Sequence, residues 1–204
     1  VPCVDATAPN VSWSMDFKGQ FRLGNGRWCY PFTVTDNASR YILRCKALGG
    51  PLLDDSWREL VGCFREHGLP MSIRSDNGSP FGGSGLTRTS TMAVRLLKLG
   101  VTPDFIQPGK PQQNGRHERM HRTLKQATAT PPAATKSAQQ RRFNRFVDEF
   151  NDERPHEALN DKPPSTVHTR SAREMPSRLP KADYDEGTIT RSVRPNGSFK
   201  WDAE

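Results

Sequence analysis

The sequence predicts an α/β fold: a mixed five-stranded sheet flanked by helices. Three observations lead there. In the first third of the chain, apolar and polar residues alternate in short runs joined by tight turns, the pattern of an antiparallel meander. Further on the apolar period lengthens to that of a helix, and short strand-like runs alternate with helical ones. The resulting order is three strands, helix, strand, helix, strand, helix, helix, which suits a mixed sheet covered by helices.

The elements follow in chain order. Ser12–Phe17 alternates, with Trp13, Met15 and Phe17 on one face and Ser12, Ser14 and Asp16 on the other. Asn25-Gly26 is a hairpin-turn pair, and Trp28, Tyr30, Phe32 and Val34 alternate again behind it. Asp36-Asn37-Ala38-Ser39 reads as a turn and residues 41–45 as a third strand. Trp57, Leu60, Val61 and Phe64 then fall at i, i+3, i+4 and i+7, one face of a helix closed by Gly68. Residues 71–75 form a short fourth strand ending at Asp76, and the Gly-, Ser- and Pro-rich stretch 77–85 is loop.

A helix is expected over 91–99 with Gly100 as its stop, and a strand near 104–106 leads into a loop over 108–115. A basic helix should run from 115 to 128 and end before Pro131-Pro132. Another, over 137–151, carries Phe143, Phe146, Val147 and Phe150 on one face. Residues 1–10 read as a tail, 11–165 as the folded core and 166–187 as a linker. The whole of 152–187, rich in Pro and charge, is expected as an extended arm with little fixed structure. Residues 188–204, turning at Pro195-Asn196-Gly197, read as a hairpin that begins a small β module.

Composition narrows the function. The formal net charge is +8 with a sequence pI near 9.6, which favours a polyanionic partner. Lys110, Arg116, Arg119, Arg122 and Lys125 surround one carboxylate, Glu118. Cys3, Cys29, Cys45 and Cys63 are scattered without a C-x-x-C, the pattern of buried free thiols in a reducing compartment. No apolar stretch is long enough to span a bilayer and no signal peptide is visible, so the expected setting is cytoplasmic, without a membrane partner.

Three acids carry the chemistry. Asp16 lies on the first strand, Asp76 just past the fourth, and Glu118 about one turn into the basic helix. Singly, each has an ordinary explanation: a solvent-facing strand residue, a turn residue before Asn-Gly, and a charge placed for the helix dipole. Brought together they would repel one another, and hard divalent cations with oxygen ligands remove that penalty. Two such ions can activate an attacking oxygen and stabilise the leaving oxygen at a phosphodiester. On the helix, His121, Arg122 and Lys125 share the side of Glu118 and are expected to line a phosphate track.

A rival reading uses the same helix. His117-Glu118-Arg119-Met120-His121 spells H-E-x-x-H, the zinc-protease motif, with Glu149, Glu153 or Glu157 as a third ligand. It leaves Asp16 and Asp76 without a role, and interleaved arginines suit an exposed helix better than a buried zinc helix. The two histidines are therefore expected as phosphate or water contacts, or as plain surface residues.

Three stretches taken together resemble the motifs of the retroviral-integrase-type catalytic core found in DDE transposases of bacterial insertion sequences. They are Trp13-Ser14-Met15-Asp16, Ser75-Asp76-Asn77-Gly78-Ser79-Pro80-Phe81 and the run from Pro111 through Gln112, Gln113, Asn114 and Gly115 to Glu118. Asn151-(x)2-Arg154-Pro155-His156-Glu157-Ala158-Leu159 also resembles the segment that follows that core. The resemblance covers residues 11–165.

It implies a ribonuclease H-like fold, with metal-dependent DNA cleavage and strand transfer of a mobile element. Asp16, Asp76 and Glu118 would be the catalytic and metal-binding triad, holding Mg2+ or Mn2+, two ions in all. Lys110, Gln113, Asn114, Arg116, Arg119, Arg122 and Lys125 would contact DNA, both element ends and target. It also implies a homo-multimer acting at the bacterial nucleoid. Simple metal-dependent hydrolysis by a nuclease is the alternative that uses the same acids. Forty-one residues (77–117) separate Asp76 from Glu118, longer than the retroviral spacing, and the Gly82-Gly83-Ser84-Gly85 insertion is expected to absorb the excess.

Overall fold

Strand β1 (Ser12–Phe17) is the lane around which the sheet is built. It pairs antiparallel with β3 (Trp28–Asp36) and parallel with β5 (Ser72–Ser75). β4 (Ile42–Leu48) lies outside β3 and β6 (Thr102–Phe105) outside β5, so the lanes run β4-β3-β1-β5-β6. The mixed sheet expected from the sequence is present. A sixth strand, β2 (Phe21–Arg22), pairs with β3 at Cys29 and Trp28 and prolongs the β1–β3 hairpin towards its turn. There Leu23 N–H donates to Arg27 O at 2.8 Å, and Gly26 takes the positive φ of 79° that the tight turn requires. The computed structural model describes residues 6–17, 19–82, 90–106 and 115–181, together with Gly187. The expected hairpin over 188–204 and the Gly83-Ser84-Gly85 part of the insertion lie outside those residues.

Helices cover both faces of the sheet. α1 (Leu53–His67) and α2 (Thr91–Lys98) lie on one, where Trp13, Met15, Phe32, Val34 and Ile73 pack with Leu60, Phe64, Met92 and Leu96. α3 (Gly115–Thr128) and α4 (Lys136–Asp152) lie on the other, where Cys29, Ile42, Cys45 and Ala47 meet Met120, Leu124, Phe143, Phe146 and Phe150. The strand alternation decides the face each residue takes. Trp13 and Met15 go to the α1 side, and Ser12, Ser14 and Asp16 are left facing α3. Each fully buried large apolar side chain contributes roughly 1.5–3 kcal/mol. Burial pushes the thiols of Cys29, Cys45 and Cys63 up, Cys29 to about 11, so all three stay protonated as free cysteines.

α4 also fastens the outer edge of β4. The Asn151 carboxamide accepts from Ile42 N–H at 2.8 Å and donates to Ile42 O at 3.0 Å. About three helical turns earlier, Gln140 accepts from Ala47 N–H and donates to Cys45 O, both at 2.8 Å.

The stretch expected as a loose arm is tied down instead. Leu69 N–H donates to Arg173 O and Ser171 N–H to His67 O, a short backbone lacing along the start of β5. Arg173 donates to the carbonyls of Pro70, Leu99 and Gly100, bridging the segments that enter β5 and β6. His168 stacks on Tyr41 at 4.4 Å. Among its described residues only two single 3-10 turns form, Glu157–Leu159 and Pro164–Thr166, because most partners are carbonyls and rings on other parts of the chain. Local sequence pattern does not reveal such partners.

Candidate active site

The central strands bring two of the predicted acids to one end of the sheet. In the parallel β1–β5 pair, Ser12 faces Ser72 and Ser14 faces Arg74. Carried two residues further, that register sets Asp76 beside Asp16, at the carboxyl ends of strands about 4.8 Å apart. Asp16 is half-buried and Asp76 exposed. The loop after β5 turns back on Asp76, whose Oδ1 accepts from Gly78 N–H at 3.0 Å. A Cβ at Gly78 would stand 3.2 Å from Asp76 Oδ2, so this close approach depends on glycine.

Glu118 lies in the first turn of α3 and is exposed, as are Arg122 and Lys125 on the same side of the helix. Arg119 is exposed on the adjoining flank of the helix. Of Arg116 only the backbone is described, and Lys110, Gln113 and Asn114 lie outside the described residues.

The histidines differ from expectation. His117 and His121 are each only 2% exposed, packed edge to face against one another at 4.4 Å. Thr33, the antiparallel partner of Asp16 on β3, holds both. Its Oγ1 lies 2.8 Å from His117 Nε2 and 2.6 Å from His121 Nε2, and donates its own hydrogen to Asp16 O at 3.2 Å. With the one hydroxyl proton spent on Asp16, both Nε2 atoms must be the donors.

His117 Nδ1, 2.8 Å from Thr35 Oγ1, is then the acceptor of a neutral ring. Burial lowers its pKa to about 3, which agrees with that tautomer. His121 Nδ1 faces Asp16 Oδ2 at 3.8 Å, an ion-pair distance when the imidazole carries both protons. The polar strip left on β1 and β3 by strand alternation is thus satisfied by α3. The same contacts fix the helix that carries Glu118.

A signal for this burial was present in the sequence. His117, Met120, His121, Leu124 and Thr128 follow helical spacing, and all five are buried. Interleaved arginines masked that inner stripe, because arginine takes the outer positions of the same turns.

Asp16, His117 and His121 do offer ligand atoms within 4.8 Å of one another. The carboxylate that joins the histidines is thus Asp16, and Glu149, Glu153 and Glu157 do not join them among the described residues. Both nitrogens of His117 already meet threonine hydroxyls, which leaves the zinc-protease reading without a free imidazole there. The side chains at the strand ends are carboxylates, whose oxygens suit a hard cation.

Comparison with known proteins bears on the family and the fold. A family model described as integrase core domain matches residues 6–111, half of the chain. The chain belongs to the integrase core domain family. A second integrase core domain model matches residues 99–164, so the matched region runs on through α3 and α4. An uncharacterized protein of insertion element IS407 from Burkholderia multivorans is 30% identical over 159 residues, 78% of this chain. The chain spans 55% of the length of that relative.

Among solved structures, the catalytic core domain of HTLV-2 integrase in complex with magnesium matches with a TM-score of 0.63 at 13% identity. The match covers 81% of this chain and all of that one. The simian T-cell lymphotropic virus intasome, in complex with a PP2A regulatory subunit, gives 0.65 at 15% identity over 98% of this chain and 70% of that one. The integrase core fold, ribonuclease H-like, is therefore that of this chain. No helix among the described residues is long and apolar enough to cross a membrane.

Proposed function

We propose that this integrase core is the catalytic part of an insertion-element transposase that cleaves DNA and transfers strands with divalent metal ions. One observation supports the reading: the parallel β1–β5 pairing of Ser14 with Arg74, two residues short of Asp16 and Asp76 at the same end of the sheet. Asp16, Asp76 and Glu118 would hold Mg2+ or Mn2+, as a pair of ions. The magnesium complex of the HTLV-2 core supports that choice of ion. When bound, such ions activate the attacking oxygen and stabilise the leaving one at a phosphodiester.

The remaining roles belong to the chain. Thr33 and His121 orient Asp16 from below, and the Gly78 N–H holds the Asp76 carboxylate. Arg122 and Lys125 offer point charges to DNA phosphates without reading sequence. The dimeric and trimeric forms of the HTLV-2 core and the simian virus intasome support a homo-multimer acting on element ends and target DNA. Its setting would be the bacterial nucleoid. A nuclease that uses only water as nucleophile is the second reading.

The test uses labelled oligonucleotides bearing candidate element ends, incubated with the protein in Mg2+ or Mn2+. Nicking and joining by the parent, both lost in Glu118→Gln, Asp16→Asn and Asp76→Asn, support the proposal. Nicking without joining supports the nuclease. Nicking that survives all three substitutions sinks the triad.

A further inference from the structure

Glu118, Arg122 and Lys125 share one side of α3, while Arg119, one i,i+3 step from Arg122, stands with Met120 and Thr123 along the adjoining flank. There they line a cavity of about 760 Å3, within the roughly 300–1,000 Å3 span of ligand sites. Three arginines reach it from three separate parts of the fold: Arg40 from the turn between β3 and β4, Arg119 from α3, and Arg154 just beyond α4. Its apolar lining is Met120, Phe150 and Pro155.

Charge in the cavity favours an anion. Of the two carboxylates on its walls, Asp36 already accepts from the backbone N–H groups of Asn10, Ala38 and Ser39 and from the Ser39 hydroxyl. Asp36 and Glu157 thus set two carboxylates against three guanidinium groups, of which Arg40 also donates to Asn37 O, and the lining keeps a net positive charge. His156 also lines the cavity, and its Nε2 is buried without a hydrogen-bond partner among the described residues. The Arg154-Pro155-His156 stretch, which has no part in the metal chemistry, supplies this wall.

We infer that this cavity is a second DNA site, holding a backbone segment that undergoes no chemistry while the reacting phosphodiester lies across α3. The inference rests on the recombinase reading above and deepens it. Strand transfer handles two DNA segments, and the cavity beside the Arg119 flank of α3 offers the second of them its own place. Arg40, Arg119 and Arg154 take phosphates, and the apolar lining takes the face of a sugar or base.

The test is fluorescence anisotropy of the full chain with a labelled duplex, in EDTA so that no cleavage occurs, between 50 and 200 mM salt. The Arg40→Ala/Arg154→Ala double variant should bind about tenfold more weakly at the midpoint of that range. Its plot of log affinity against log salt should be shallower by about two. The Arg40→Lys/Arg154→Lys pair should recover most of the loss.

Parent affinity and slope in a folded double-alanine variant would overturn the inference. So would loss of self-association with DNA affinity intact, which makes the cavity a protein contact. If the double-alanine variant does not fold, Thr123→Glu, which sets a carboxylate into the cavity, replaces it, and unchanged binding there is equally decisive. A parent that binds DNA but never nicks it removes the recombinase reading and leaves this measurement standing. A parent that nicks while these variants bind unchanged removes the cavity alone.

Discussion

Thr33 Oγ1 lies 2.6 Å from His121 Nε2, and through this hydroxyl the strand opposite Asp16 is joined to the helix of Glu118. Two imidazole donors and one carbonyl acceptor meet on a single oxygen. Thr33→Val keeps the shape and strands both donors in a buried place. Unfolding in urea should show a loss of about 2–4 kcal/mol. Thr33→Ser keeps the oxygen and should recover most of it. A valine variant as stable as the parent would show that the histidines find other partners.

Gly78 makes a second, independent demand. A methyl group there meets the Asp76 carboxylate at 3.2 Å and pushes it from its turn. Gly78→Ala should retain its melting temperature, since the site is exposed, and lose metal-dependent nicking by about 10- to 100-fold. Equal nicking rates for parent and variant would place Asp76 outside the chemistry.

The docked arm depends on Gly68. This residue has a φ of 78°, and a Cβ on it would stand 2.6 Å from Ser171 O and 2.9 Å from Arg173 O. Gly68→Ala therefore strains its own backbone and lifts the 171–173 segment off α1. A loss of about 2–4 kcal/mol is expected, with faster proteolysis confined to the arm. Unchanged protease sensitivity of the arm would contradict the lacing described here.

Acid should loosen the fold. Burial is the main cause that lowers the pKa of His67, His156 and His168 below 6.5, outweighing Glu66 at the first and Asp36 at the last. Between that value and the lower folded-state one, the unfolded chain holds more protons, so stability falls as pH drops. It is complete above about 6.5 and declines below it, by at most about 1.4 kcal/mol per pH unit for each histidine. Solvent screening reduces the share of the more open His156. Denaturant midpoints at pH 7.5 and 5.5 check this, and equal midpoints would count against it.

Much of this was legible in the sequence. Period-two and period-3.6 patterns found every helix of the core and four of the sheet's five lanes with little error. At the fifth, β6, the start was read late because Pro103, tolerated at a sheet edge, hid it. The motifs in the sequence single out Asp16 and Asp76, while the parallel pairing of their strands could be read only from the structure.

The buried histidines were misread because burial depends on what lies under a helix, and Thr33 and Thr35 are more than eighty positions away. The arm was misread for the same reason, since Arg173 answers to carbonyls at Pro70, Leu99 and Gly100. Polar partners distant along the chain leave no period to find.

The amide clasp of Asn151 and Gln140 has a consequence for how copies of the protein meet. An open sheet edge invites a foreign strand to add itself. Here the N–H and C=O of Ile42, the C=O of Cys45 and the N–H of Ala47 are already taken by side chains, and the opposite edge carries Pro103, which has no N–H to offer. Neighbouring molecules gain little by stacking strand on strand. The sheet stays private to one chain, and association between copies is left to helix and loop surfaces.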